Sequence, residues 1–325
     1  MRLVAFTRTL AEPRLGALVG DRVVSLRRAY LTALTRQGLK NAEQRVGEIL
    51  PMDAVRFLVA GAGARAAAEE AIAIAQTVKS DAAGTPLSFP LSEIRLHAPI
   101  RRPGKILCVG RNYADHVAEG NLAPSEWPYV FSKVPSCVIG PGEHIVHPTT
   151  TKQLDYEGEL ALVIGRRAKG VSEEKALGYV AGYMIFNDVS ARDVQFTDHQ
   201  ITLGKNFDTA APLGPWLTLA DEVPDPEQLG LRTYVNGELR QDSNTRYLIH
   251  KIPRLISFLS RAITLEPGDV IATGTPAGVG AFLTPPRFLV PGDHIRIEID
   301  RLGALENQVV APSQAPTSSR AQRVA

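Results

Sequence analysis

Near residue 100 the pattern of the chain changes, and that change constrains the fold more than any other feature. From about Ile100 to Val310 short β-rich runs recur between Gly and Pro: Ile106–Val109, Glu159–Ile164, Val180–Asn187, Trp216–Leu219, Leu231–Val235, Val270–Thr273 and His294–Ile299. Only three helical stretches fit among them, around Ala114–Glu119, Ser172–Leu177 and Ile252–Arg261. Such a run of strands and turns predicts a mostly β domain, built on a closed or rolled sheet. Asn236-Gly237 marks a hairpin after Thr233-Tyr234-Val235. Pro267-Gly268-Asp269 and Pro291-Gly292-Asp293 place turns just before two apolar strands.

The segment before this region reads as a small α/β module over residues 1–80. Leu3–Phe6 and Gly16–Leu26 are strand-like, with Gly20-Asp21 as a hairpin turn between apolar runs. Two or three helices follow and end with the Ala-rich segment Ala64–Lys79. A polar Gly/Pro stretch then opens a linker and entry strand over 81–102, and the β-rich domain occupies 103–310. Residues 311–325 are rich in Ser, Pro, Ala and Arg, a composition that predicts a disordered tail. The class is therefore α+β, mostly β.

Charge narrows the partners. Lys plus Arg number 36 and Asp plus Glu 34, a net +2, so no broad basic field exists for nucleic acid or an anionic membrane. No run approaches a membrane span, and the first residues lack a signal-peptide core. Cys108 and Cys137 make no disulfide framework, and their apolar surroundings suit packing; a reducing cytoplasm is the default expectation. His144 and His147 lack the further soft or imidazole ligands a zinc site would need.

The chemistry concentrates in Asp155-Tyr156-Glu157-Gly158-Glu159-Leu160, an acidic head running into an apolar strand. Residues i and i+2 of a strand share a face, which sets Glu157 and Glu159 together, about 7 Å apart at the backbone. Like charges so close repel unless a cation lies between them, and all-oxygen ligation favours Mg²⁺ or Mn²⁺, with Ca²⁺ as a third candidate. The bland alternative is one solvated face of an edge strand. Asp188 closes another apolar strand and is the candidate third ligand. Arg192 and Gln195 follow it within about two helical turns. Gly204-Lys205-Asn206 is a polar loop, and Gly274-Thr275-Pro276-Ala277-Gly278-Val279-Gly280 is a Gly-rich turn without the ending of a phosphate-binding loop. Its N–H groups are suited to hold a carboxylate.

With Gly110-Arg111-Asn112-Tyr113-Ala114-Asp115-His116 added, these segments resemble the fumarylacetoacetate hydrolase superfamily, in family order over about Pro103 to Gln308. The N-terminal module is similar to the small extra domain of many bacterial members. The resemblance implies a β-roll-like catalytic domain, a homodimer, and Mg²⁺ or Mn²⁺ held by Glu157, Glu159 and Asp188. It also implies a His116–Glu119 pair, whose i, i+3 spacing puts both on one helical face. A 2-oxo acid would chelate the metal and react through a metal-bound enolate. His116, oriented by Glu119, would activate water, and Lys205 and Gln195 would stabilise the oxyanion. Thr275 and Tyr113 are candidates for substrate binding. Arg192 has two readings, a hold on a substrate carboxylate or a structural ion pair with an Asp such as Asp193.

The first expectation for function is hydrolysis of the C–C bond of acylpyruvate-type 2,4-dioxo acids, such as fumarylacetoacetate or fumarylpyruvate. Alternatives sharing the enolate are an oxaloacetate-type decarboxylase and a 2-hydroxyhepta-2,4-diene-1,7-dioate isomerase or 2-oxo-acid hydratase of aromatic catabolism. A non-catalytic sugar-acid binder is the alternative outside enzymology.

Overall fold

The Gly20-Asp21 turn forms where the sequence places it, joining Arg14–Val19 to Arg22–Ser25 with Gly20 at φ 62, a backbone state that suits a residue without Cβ. The computed structural model describes residues 1–9, 12–121, 123, 125–197 and 200–314, so most of the expected disordered tail lies outside the described residues. Three helices follow the hairpin: Leu26–Arg36, Ala42–Ile49 and Ala54–Thr77. The last begins ten residues before the expected Ala64. Asp53 caps it by accepting from the Arg56 N–H, and Gly61 interrupts it at φ 65. The pair Gly61 and Gly63 hid its first half from sequence reading, because glycine opposes helix.

The N-terminal hairpin is not an isolated sheet. Arg2–Thr7 pairs with Ala211–Leu219, Arg2 opposite Thr218. The large sheet therefore runs Ser88–Pro90, Arg22–Ser25, Arg14–Val19, Arg2–Thr7, Ala211–Leu219, Val180–Asn187, Gly158–Ile164, Val270–Ala272, Ile106–Gly110, Tyr129–Lys133. Soon after its last strand, Val138–Ile139 pairs back onto Ala211–Leu219, so the sheet curls on itself. The rolled sheet expected from the strand pattern is present. A second sheet orders Glu238–Asn244, Gly230–Val235, His294–Ile299, Gly303–Val310 and Ile145–Val146. No helix among the described residues is long and apolar enough to cross a membrane.

Gly158–Ile164 lies at the middle of this architecture, buried at every residue. Its period of two divides between two cores. Ala161 and Val163 join one that reaches the N-terminal helices, whereas Leu160, Leu162 and Ile164 join one with Ile252–Ala262 and the second sheet. A strand covered on both faces and paired on both edges has no solvated face. Its acidic head is carried into the interior with it.

Besides several two-residue strands, two longer strands were not legible in the sequence. Tyr129–Lys133 ends in a lysine, and Gly303–Val310 is polar at its centre. Neither shows the apolar run or clean alternation that marks a buried strand.

Candidate active site and metal centre

Short pairings bring the acidic groups together. Leu154–Asp155 pairs with Ser190–Ala191, and the Asp188 N–H donates to the Glu157 carbonyl at 2.9 Å. The Glu157 N–H donates to Asn187 Oδ1 at 3.0 Å. Oxygens of Glu157, Glu159 and Asp188 thereby lie within 4.8 Å of one another, all three residues buried. Among the described residues this is the one such group with three or more potential ligands. The solvated-edge alternative for Glu157 and Glu159 fails, because the strand is central and the residues are 6% and 2% exposed.

Buried charges require partners, and most have them. Lys205 Nζ is 2.9 Å from both Glu157 Oε2 and Asp188 Oδ2. Lys133 Nζ is 2.6 Å from Asp188 Oδ1 and also donates to the Val189 carbonyl. Arg192 reaches Glu157 Oε1 at 2.6 Å and Asp155 Oδ2 at 2.8 Å. Burial pushes the Glu157 carboxyl up, but Lys205, Arg192 and His116 outweigh it and hold its pKa down at about 2. The same carboxylates raise the Lys205 ammonium against its own burial.

Glu159 is the exception. It accepts one hydrogen bond, from the Gly274 N–H at 2.9 Å, and no cationic side chain pairs with it among the described residues. Burial pushes its carboxyl well above the usual range, with Asp188 and Glu157 adding to the shift. A carboxyl so placed keeps a proton or requires another cation. Three converging carboxylates with one charge uncompensated fit a hard divalent ion, Mg²⁺ or Mn²⁺, with Ca²⁺ also compatible.

A cavity of about 440 Å³ opens onto this group. His116, Gln195 and Lys205 line it with Arg192 and Thr275, so most of the residues selected from sequence converge there. His116 Nδ1 sits 2.8 Å from Glu119 Oε1, and the ring packs on Phe282. The i, i+3 pair is therefore formed. With Nδ1–H donating to the carboxylate, Nε2 keeps the lone pair. Tyr113 does not reach the cavity lining: it is fully buried in the second core, and its hydroxyl has no partner among the described residues.

Three sequence expectations change in detail. Arg192 pairs with Asp155 and Glu157 and not with Asp193, which instead accepts from Thr151 Oγ1 and the Lys152 N–H. Adjacent helical residues point in different directions, so i, i+1 neighbours make poor ion pairs. The Gly-rich turn does hold carboxylates, but they are the protein's own. Gly274 donates to Glu159, Gly278 to Glu119, and Gly280 and Ala281 to Asp155. The Thr275 hydroxyl donates to the Gly158 carbonyl at 3.0 Å and accepts from Gln241 Nε2 at 2.8 Å, so its proton is already committed. Sequence reading missed Lys133 and the anchoring role of Asp155. The motif placed Asp155 beside the ligands, but nothing local shows that Lys133 crosses the roll to Asp188.

A family described as fumarylacetoacetate (FAA) hydrolase, C-terminal, matches residues 105–310. The chain belongs to the fumarylacetoacetate hydrolase family. Within that family it is 50% identical over 225 residues to oxaloacetate tautomerase YisK of Bacillus subtilis (strain 168), covering 68% of this chain and 75% of that protein. It is 47% identical over 237 residues to a mitochondrial oxaloacetate tautomerase of Xenopus laevis, covering 72% and 74%. Among solved structures, maleylpyruvate hydrolase from Sphingobium sp. SYK-6, in complex with manganese (II) ion and pyruvate, superposes with a TM-score of 0.73 at 32% identity, covering 96% of this chain and 99% of that one. A 5-carboxymethyl-2-hydroxymuconate delta-isomerase from Mycobacterium smegmatis gives 0.69 at 34%, covering 96% and 100%. The named relatives are enzymes of this family, and so is this chain.

Proposed function

We propose that this enzyme interconverts the enol and keto forms of oxaloacetate with the help of Mg²⁺ or Mn²⁺ at Glu157, Glu159 and Asp188. The observation carrying the reading is that Glu157 and Glu159 of the carboxylate triad and His116 of the His116–Glu119 pair line one small cavity. A cation there would supply Lewis-acid polarisation of the 2-oxo acid's keto oxygen. The preference for tautomerisation over the related reactions is supported by higher identity to the oxaloacetate tautomerases, 50% against 32% for the maleylpyruvate hydrolase.

The residues have distinct tasks in this reading. His116 Nε2 adds or removes the proton at C3, while Glu119 holds Nδ1–H and keeps the ring oriented. The Gln195 carbonyl oxygen accepts from Arg192 at 3.1 Å, which leaves its amide N–H groups to donate to the substrate oxygen that gains charge. Lys205 stabilises the same charge from the triad side. Going from enol to keto, the C2 hydroxyl loses a proton and C3 gains one, so no water is consumed.

Hydrolysis of an acylpyruvate C–C bond is the second reading, favoured by the close structural likeness to maleylpyruvate hydrolase. There His116 would take its proton from water. The deciding experiment supplies enol oxaloacetate with Mn²⁺ and follows the keto form through malate dehydrogenase. Parallel assays score pyruvate released from oxaloacetate and from acetylpyruvate. Faster keto formation without pyruvate supports the proposal. Pyruvate release from acetylpyruvate alone transfers the assignment to the hydrolase. A homodimer belongs to the same proposal, and sedimentation velocity checks it.

A further inference from the structure

A dicarboxylic substrate brings a second negative charge that the metal group cannot neutralise. Two of the cations lining the cavity are already engaged by carboxylates: Arg192 by Asp155 and Glu157, Lys205 by Glu157 and Asp188. Arg111 lines the same cavity, and no carboxylate pairs with it among the described residues. Its guanidinium instead lies over the Tyr129 ring, 5.2 Å from the centroid. Tyr129 also lines the cavity and is 41% exposed, which sets this pair at the mouth, away from the buried triad.

The position of Arg111 is imposed by its neighbours. It adopts φ 58, a left-handed conformation that carries a steric cost for any residue with a Cβ. The next residue, Asn112, is fully buried and leaves little choice. Its amide donates to the carbonyls of His250 and Thr273, and its side-chain oxygen accepts from the His250 N–H. The stapled Asn112 and the strand end at Gly110 hold the intervening residue in place. Stacking on Tyr129 then reduces the freedom of a long side chain, so less is lost when it captures an anion.

We infer that Arg111 is the specificity-determining residue that holds the carboxylate beyond C3, so that the cavity selects dicarboxylic over monocarboxylic 2-oxo acids. This rests on the oxaloacetate reading for its substrate class. The planar fork of the guanidinium matches a carboxylate in bidentate geometry, and the cavity mouth keeps it hydrated until a substrate arrives.

The test compares wild type, Arg111→Gln and Arg111→Lys on oxaloacetate and on 2-oxobutyrate, which lacks the second carboxylate. Deuterium uptake at C3 reads KM and kcat, and calorimetry with Mn²⁺ reads Kd. Arg111→Gln is expected to raise KM and Kd for oxaloacetate by about 10- to 100-fold, with 2-oxobutyrate unchanged and Arg111→Lys recovering part of the loss. Equal losses on both compounds, or no loss on oxaloacetate, overturn the inference. Should wild type turn over neither compound yet bind oxaloacetate through Arg111, the tautomerase reading falls and this assignment stands.

Discussion

Lys133 Nζ lies 2.6 Å from Asp188 Oδ1, and both side chains are fully excluded from solvent. The pair spans the inside of the roll, from the last strand of the sheet to the loop after Val180–Asn187. It occupies one oxygen of a candidate metal ligand and leaves the other facing Lys205. Removing one partner of a buried pair strands the other charge, at about 3–5 kcal/mol. Lys205 still pairs with Asp188, so Lys133→Met should lose stability toward the lower end of that scale in urea unfolding without metal. A loss below about 1 kcal/mol would mean that Lys205 alone suffices as the counter-charge of Asp188.

Glu159→Gln should produce two effects of opposite sign. The metal-free variant should melt at or above wild type, because it sheds a buried carboxyl that forms no ion pair among the described residues. Manganese should stabilise wild type by mass action and leave the variant's melting temperature nearly unmoved. A variant still stabilised by manganese as wild type is would remove Glu159 from the ligand set.

His116→Gln should cut kcat by about 10²- to 10⁴-fold, the usual contribution of a positioned acid–base group. Manganese affinity by calorimetry should persist, since His116 lies outside the carboxylate triad. Glu119→Gln should have a smaller effect and shift the pH profile, because it alters how the imidazole is held. Full turnover by the His116 variant would assign the C3 proton to another group.

Thr275→Val separates two roles for one hydroxyl. Its hydrogen bonds run to Gly158 and Gln241, so the variant should lose about 1–3 kcal/mol of stability with KM little changed. A large rise in KM with unchanged stability would instead place the hydroxyl on the substrate.

His97 should make the N-terminal strands sensitive to acid. Its ring bonds Thr7 Oγ1 at 3.0 Å, and Arg95–His97 pairs with Arg2–Thr7. Burial, joined by Arg95 and Arg101, lowers its pKa below 6.5, although Glu143 and Glu12 act in the opposite sense. A lowered pKa means that the unfolded chain binds the proton more readily. The contribution is whole above pH 6.5 and is lost as pH falls through the folded value. His97→Phe should flatten the fall in melting temperature between about pH 7 and 5. Parallel curves for the two proteins would show that other groups govern the acid response.

Much of the architecture was legible because it is local. Strand period, the Gly20-Asp21 and Asn236-Gly237 turns, and the His116–Glu119 helical spacing are set by residues close in the chain. The alternation at Glu157 and Glu159 likewise follows from the backbone alone. Whether that alternation meant a solvated edge or a buried ligand pair depended on which strands flank it. That is a matter of sheet order, and here Val180–Asn187 and Val270–Ala272 enclose it. The long-range partners were equally hidden: Lys133 with Asp188 across the roll, Arg192 with Asp155, and the Gly-rich turn spending its N–H groups on Glu159, Glu119 and Asp155. A sequence determines which residues can carry charge and what local shape the backbone prefers. Which buried charges neutralise one another is decided by approach over a few ångströms, and only the closed tertiary fold brings those groups that near.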